Sequence, residues 1–410
     1  MEIKCPECGS ITKISAEYEV KQLGCGNCKN LIEFLDNGRF SYVRKYDYKP
    51  AFHIPLKIGQ KGKLNGIEYE VSGIVVKKVH AIYYWREYIL TPKEGDNIYL
   101  SETNGHWMAL KQIEEKFDIS GRQVYVDYEG LEYALYEYED TTIAYAEGCF
   151  DFELPKVQVE MIEYINPPYI ISIEHRKKHV ETYHGQHISA GAIKKAFGIS
   201  SNPYRSGVGI VQPFLVDLRM MVIIFGITSL LILAGHVFIY SGRQQQTVLS
   251  QTLSFADYSG KDFVSRPFTL QGGSAPLQIK LQSGVDNSWA SVQVGLVNEV
   301  TNEEIYSGKD VEYYHGYTDG ENWSEGSQAD DFYMCAVPEG RYHLVVSPSK
   351  APEDLNNQTL SITASWNAPL QRNVFIPILA MAGIALATYF IKKQFERRRW
   401  ADSRYSPYDQ

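Results

Sequence analysis

Four cysteines open the chain in two pairs, Cys5 and Cys8 in "CPEC" and Cys25 and Cys28 in "CGNC", giving the spacing C-x2-C-x16-C-x2-C. Two residues between thiolates let a tight turn aim both sulfurs at one ion, and two such pairs supply the soft ligands of a tetrahedral zinc site. Gly9, Gly24 and Gly26 stand beside the cysteines, where the backbone needs freedom. All four ligand positions are thiolates, so no coordination place is left for a substrate, and the reading is structural Zn2+. Redox dithiols and an iron site are the alternatives. The stretch "ITKISAEYEV" between the pairs alternates as a strand does, which points to a zinc ribbon over residues 1–40 rather than a helical finger. A ribbon of this size has too small a core to fold unaided, so the metal supplies much of its stability.

Other chemistry-bearing residues are less well arranged. "EHRKKHVETYHGQH" gathers Glu174, His175, His179, Glu181, His184 and His187. His175 and His179 would share a helix face, as zinc ligands do. Yet no H-E-x-x-H is present, Arg176, Lys177 and Lys178 would oppose a cation, and the pattern suits a hairpin leading to a capped helix over Ser189–Phe197 with Gly198 as its stop. Cys149 in "AEGCFDF" sits in an apolar, acidic setting that should raise its pKa and blunt it as a nucleophile. "GYTDGENWSEGSQADD" collects Asp319, Glu321, Glu325, Asp330 and Asp331 around Trp323, a candidate calcium or sugar loop or a solvated acidic one. There is no G-x-S-x-G, P-loop or dinucleotide fingerprint, and no catalytic residue is assigned.

The elements that must position these residues begin with two apolar runs. "MVIIFGITSLLILAGHVFIY" and "VFIPILAMAGIALATYFI" carry no formal charge, and each reads as a membrane helix, over 219–240 and 374–392. No signal peptide is visible at the start of the sequence. Arg205, Arg219, Lys392, Lys393, Arg397, Arg398, Arg399 and Arg404 flank the spans on one side, against Arg243 and Arg372 on the other. That asymmetry places both termini in the cytoplasm and 241–373 outside, with 393–410 a basic cytoplasmic tail. Small residues, Gly226, Gly235, Ala380, Gly383 and Ala387, would let the two helices approach closely. The outer segment holds 8 Lys/Arg against 16 Asp/Glu, and the rest of the chain is near neutral within an overall charge of −9. A broad nucleic-acid surface should be basic, so no nucleic-acid partner is expected.

Thirty Tyr and 32 Gly tilt the composition toward β structure. Residues 56–110 read as five short strands, with Asn65-Gly66 and Asn104-Gly105 as tight turns, and suggest a small antiparallel barrel or curled sheet. Trp85, Tyr88 and Trp107 at alternating positions read as core, with the lining of a binding groove as the alternative. "IGQKGKLNGIEYEVSGIV" and "WREYILTPKEGDNIYLSETNGHWMAL" together resemble the bacterial domain of unknown function 4178. The resemblance rests on Gly59, Gly62, Gly66, Val71, Gly73, Trp85, Glu87, Tyr88, Leu90, Gly105 and Trp107, and it extends over roughly 50–200. It implies a bacterial protein and makes a zinc knuckle combined with membrane spans credible, but it brings no catalytic residues.

The strand-like runs in 245–370 point to an extracytoplasmic β-sandwich. The chain is therefore read as mainly β, with a zinc ribbon, a cytoplasmic barrel or sheet module, and two membrane helices flanking the sandwich. The expected function is a non-enzymatic scaffold, adaptor or sensor in a bacterial inner membrane, with the lipid bilayer, protein partners and a second copy of the chain as its contacts. The alternative is a membrane-tethered metal-dependent hydrolase using the His175–His187 cluster or the acidic 319–331 loop.

Overall fold

Period-two alternation runs through most of the first 190 residues, and in three dimensions it becomes one continuous antiparallel sheet. The computed structural model describes residues 1–408 apart from 16–17, 36–37, 48–53, 81, 119–122, 177–178, 202 and 243. Lys177, Lys178 and Arg243, which entered the charge arguments above, lie outside the described residues, as does part of the stretch expected as a strand after Cys8. Of that stretch, Ile11–Lys13 forms a strand, paired with Glu2–Lys4. Two compact units are present, Met1–Asp217 with Ala387–Gln410, and Leu218–Leu386.

In the first unit, strands Ile67–Val79, Tyr83–Pro92, Ile98–Thr103 and His106–Ile113 form a meander. His106–Ile113 then pairs with His179–Ile188, and the sheet continues through Tyr169–Arg176 and Val159–Asn166 to Leu131–Phe150. Leu131–Phe150 pairs back onto Ile67–Val79, which closes a barrel of 8 strands. The five strands of 56–110 therefore do not close alone. Lys61–Leu64 stays outside the ring, and the other four need 131–188 to complete it. Asn65-Gly66 and Asn104-Gly105 do form tight turns, with positive φ at all four residues, as two-residue hairpins require.

One strand makes closure feasible. Leu131–Phe150 is 20 residues long; its first half pairs with Val159–Asn166 and its second with Ile67–Val79. The change of neighbour falls between Thr141 and Thr142, and a register shift lies within each pairing, at Leu135/Glu137 in the first and Ile143/Tyr145 in the second. At its far end Gly148 pairs with both Gly73 and Gly24. A Cβ on Gly148, whose φ is +107°, would collide with the Ser72 carbonyl oxygen, and one on Gly24 would collide with the Ala146 carbonyl. Three backbones cross here at a separation that side chains would prevent.

Beyond Gly24 the strands Gln22–Gly24, Asn30–Phe34 and Phe40–Lys45 extend the sheet. Outside the ring, the helix Ala190–Phe197 is capped by Ser189, whose hydroxyl accepts from Ala192 N–H, and stopped by Gly198 in the left-handed region. It buries Ile193 and Phe197 among Tyr88, Leu90 and Trp107, and the Phe197 ring lies directly over Gly62.

The second unit holds two antiparallel sheets. One is Gln246–Ser254, Thr359–Trp366, Ala275–Ser283 and Ala329–Val337. The other centres on Gly340–Lys350, Ser288–Asn298, Glu304–Thr318 and Glu321–Ser327. Alternate residues of both, such as Leu277, Ile279, Val292, Val294, Leu344 and Ile362, share one core. The closed ring in the first unit is a different architecture from this two-sheet packing. The apolar helices are Leu218–Ser241 and Arg372–Arg399, with mean hydropathy 2.5 and 2.2 over their most apolar windows and almost nothing buried. At roughly 1.5 Å per residue each is long enough to cross a ~30 Å hydrocarbon layer. A Cβ at Gly226, Gly235 or Gly383 would meet nothing within 4 Å, so these small residues support no close helix contact here.

Gly148 and Gly130 both have positive φ, but only Gly148 is hemmed in by backbone. Gly148→Ala is expected to destabilise the first unit by about 3 kcal/mol or more, whereas Gly130→Ala should cost about 1–2 kcal/mol. Thermal unfolding of the detergent-solubilised variants checks the difference.

Candidate metal centre and barrel lumen

The two cysteine pairs sit on two knuckles of the same backbone design. Cys5 N–H donates to Ser10 O (2.8 Å) and Gly9 N–H to Cys5 O (2.9 Å); Cys25 N–H donates to Asn30 O (2.9 Å) and Lys29 N–H to Cys25 O (2.9 Å). Gly9 and Lys29 hold equivalent positions with φ of 72° and 62°. Lys29 bears that conformation without being glycine, and its ammonium is anchored on Gly26 O and, at 3.0 Å, on Tyr145 OH.

The knuckles bring all four sulfurs within 4.8 Å of one another, with Cys5–Cys28 at 3.8 Å and Cys8–Cys25 at 3.6 Å. Four sulfurs about 2.3 Å from a tetrahedral ion would stand about 3.8 Å apart, so the donor set and spacing fit a metal ion. The Cys8 thiol is held down to about 6, first by the Ser10 N–H and then by the Asn27 amide, while burial pushes Cys28 up to about 12. Cys149 packs behind the site in a core with Cys5, Leu23, Cys25 and Ile32, and burial pushes its thiol up to about 12. That suits packing and not nucleophilic attack.

The remaining candidates are scattered. His175 and His179 lie on the two strands of one hairpin, where Arg176 is paired with His179. His175 binds Glu160 (2.6 Å), and His184 takes a hydrogen bond with Tyr133 OH (3.1 Å) inside a ring of tyrosines. His187 lines the barrel interior. Among the described residues the four cysteines are the one group of potential metal ligands close enough to share an ion. The acidic 319–331 stretch is not a loop, because Glu321–Ser327 and Ala329–Val337 are strands. Asp330 pairs with Lys309 (3.0 Å) and Asp331 accepts from Gln278, so the acids are spread over two sheets. Tyr88 and Trp107 are fully buried and stacked at 5.8 Å, as expected of core, but Trp85 turns into the barrel and donates to Glu87 (2.8 Å).

Sequence reasoning missed the barrel interior, or lumen. Alternate residues of the closed strands face it, and many are ionisable. Lys77 bridges Glu87 (2.9 Å) and Glu174, while Arg176 reaches Glu174 (3.7 Å) and Glu181 (3.2 Å). Burial opposes the charge on Lys77, yet the Glu174 and Glu87 carboxylates outweigh it and raise its pKa. On one side of this ion cluster lies a cavity of about 480 Å³, walled by Trp85, Met108, Leu110, Tyr136 and Met161 and carrying Glu137, Glu139 and Glu163. Burial, with Glu137 and Glu87 nearby, pushes Glu163 up to about 8. The sequence signal was the alternating glutamates of "YEYED" and the two glutamates of "VEMIEYIN", which look the same on a solvated strand.

The rim of this cavity is built from the chain on either side of the apolar helices. Arg399, at 2% exposure, donates to Gly209 O (2.8 Å), Ile210 O (2.8 Å) and Gln212 O, and pairs with Glu396 (2.8 Å). Tyr136 OH donates to Arg399 O (3.0 Å), Trp400 lies on Tyr136 at 5.2 Å, and Arg404 pairs with Glu139 (3.3 Å). The stretch expected as a basic tail from 393 is thus helical to Arg399 and then docked on the barrel. The apolar fit of Trp400 and the carbonyls offered by 209–212 hold it there, which charge counting could not reveal.

Residues 57–190 match the model of the family described as Domain of unknown function (DUF4178). The matched segment contains all 8 strands of the ring, so the resemblance read from the glycine and tryptophan pattern holds for the barrel. No curated protein matches the chain. Among solved structures, infectious bursal disease virus Gx strain is 10% identical, with 89% of this chain and 68% of that chain covered and a TM-score of 0.13. Trypanosoma rangeli sialidase in complex with sialic acid is 8% identical, covering 91% and 81% with a TM-score of 0.11. Scores this low describe no shared fold.

Purified protein is expected to carry about one metal ion per chain, by elemental analysis, and Cys5→Ser with Cys8→Ser should lose it. Retention of the metal in that double variant would place it elsewhere.

Proposed function

We propose that the protein is a two-pass membrane scaffold or sensor with no catalytic chemistry of its own, its barrel serving as the module on one side and the two-sheet unit as the module on the other. The observation that carries this reading is the Arg399 clamp. It fastens the segment leading into the first apolar helix and the segment leaving the second to one rim of the barrel. Phe214 and Phe395, from those same two segments, add an edge-on contact at 5.3 Å. A binding barrel with both membrane connections on its mouth is arranged to pass a change in the lumen to the helices, or the reverse.

In this reading the cysteine centre holds structural Zn2+ in a ribbon that braces the barrel edge. The membrane is a bacterial inner membrane, with both termini cytoplasmic and 241–373 outside, as the flanking arginines and lysines favour. Protein partners and a second copy of the chain are the expected contacts. The metal-dependent hydrolase alternative has no observation in its favour among the described residues, since neither the histidines nor the outer acids converge.

Cys335 is exposed and is the one cysteine of the 241–373 segment. A membrane-impermeant maleimide should label it in intact spheroplasts, with no label in Cys335→Ser; labelling only after permeabilisation would overturn the topology. Arg399→Met should destabilise the first unit by about 3–5 kcal/mol and open 206–214 to proteolysis. Unchanged protection of that segment would remove the clamp as the coupling element.

A further inference from the structure

We propose that the barrel lumen binds a small organic ammonium, held between the Glu137 and Glu163 carboxyls against the aromatic and apolar wall. The site goes beyond the scaffold reading and stands whether or not that reading does, because it depends only on the interior of the closed ring.

A barrel of eight strands is just wide enough either to be filled by its own side chains or to hold one small ligand. Here the interior is not filled. The cavity of about 480 Å³ falls in the roughly 300–1,000 Å³ range of small-molecule sites. Its wall includes Trp85, Met108, Leu110, Tyr136 and Met161, which suit an apolar body and, through the rings, a cation near their faces.

Two carboxyls interrupt that wall. Glu137 and Glu163 are directly paired across adjacent strands, a placement of like charges that costs stability when nothing lies between them. The nearby cations are already engaged. Lys77 serves Glu87 and Glu174; Arg404 and His80 serve Glu139; Arg399 serves Glu396 and the 209–212 carbonyls. His106 and His187 are held below the usual imidazole range by burial and stay neutral near pH 7. Arg398 and Asp402 lie at the exposed rim with opposite charges. Glu163 itself makes no hydrogen bond or ion pair among the described residues.

A metal ion fits less well. Calcium takes six to eight oxygens and magnesium a strict octahedron, whereas no set of three acidic or histidine ligands in the lumen comes close enough to share an ion. The chemistry left is a monovalent ammonium with carbon attached.

The test uses the full chain in detergent and isothermal titration with phenethylammonium, with 2-phenylethanol as its uncharged counterpart. Phenethylammonium should bind at least about tenfold more tightly than the alcohol. Its affinity should rise about tenfold per pH unit toward pH 8 as Glu163 ionises, then level off. Glu163→Gln should weaken binding at least about tenfold and abolish that rise.

The same variant reports on folding. Glu163 has a folded pKa above its unfolded value of 4.5, so the folded state loses stability as pH climbs from there through about 8. Glu163→Gln should therefore melt higher than wild type at pH 8 and about equally at pH 5, which separates lost binding from lost fold. Equal binding of the alcohol, unchanged affinity in Glu163→Gln, displacement of the ammonium by calcium, or no binding of phenethylammonium at ~20 mM would each overturn the proposal.

Discussion

The first unit depends on one strand reaching two neighbours. Leu131–Phe150 spends its first half on Val159–Asn166 and its second on Ile67–Val79, and without that change of partner the sheet would stay open. Closure removes two sheet edges and encloses a face that would otherwise be wet. The glycine crossing at Gly24, Gly73 and Gly148 lets the same strand end continue into the cysteine module. Barrel, lumen and four-cysteine cluster therefore share one backbone junction, and strain at that junction would reach all three.

Enclosure changes the meaning of ordinary residues. A glutamate on an exposed strand face costs little, whereas the same glutamate inside a closed ring must find a cation, take up a proton or bear desolvation. Glu87 and Glu174 take the first course through Lys77, and Glu163 the second, with its carboxyl pushed up to about 8. Buried ion pairs of this kind rarely add stability over an apolar packing of equal volume.

The rim ties this interior to the apolar helices. A single buried arginine satisfies carbonyls of 209–212, which the irregular chain there would otherwise leave without partners. The guanidinium is suited to the task because its donors are fixed in one plane and always charged.

Much of this protein was legible from local patterns. The spacing of Cys5, Cys8, Cys25 and Cys28 anticipated a four-sulfur cluster, because two-residue gaps dictate a knuckle whatever surrounds it. Length and hydropathy located the two apolar helices to within a few residues at their outset, and Ser189 and Gly198 marked a short helix by capping chemistry alone. Asn65-Gly66 and Asn104-Gly105 announced their turns for the same local reason. What only the tertiary structure decided was which strands share the ring, and hence which alternating face became its interior. No local pattern singled out Glu137 or Glu163, and Glu174 stood out only beside the histidines, until closure enclosed all three; Arg399 read as a topology charge until the 209–212 carbonyls gathered around it. Periodicity assigns a residue to a face; whether that face meets water or another backbone depends on contacts tens to hundreds of residues away, which no local pattern encodes.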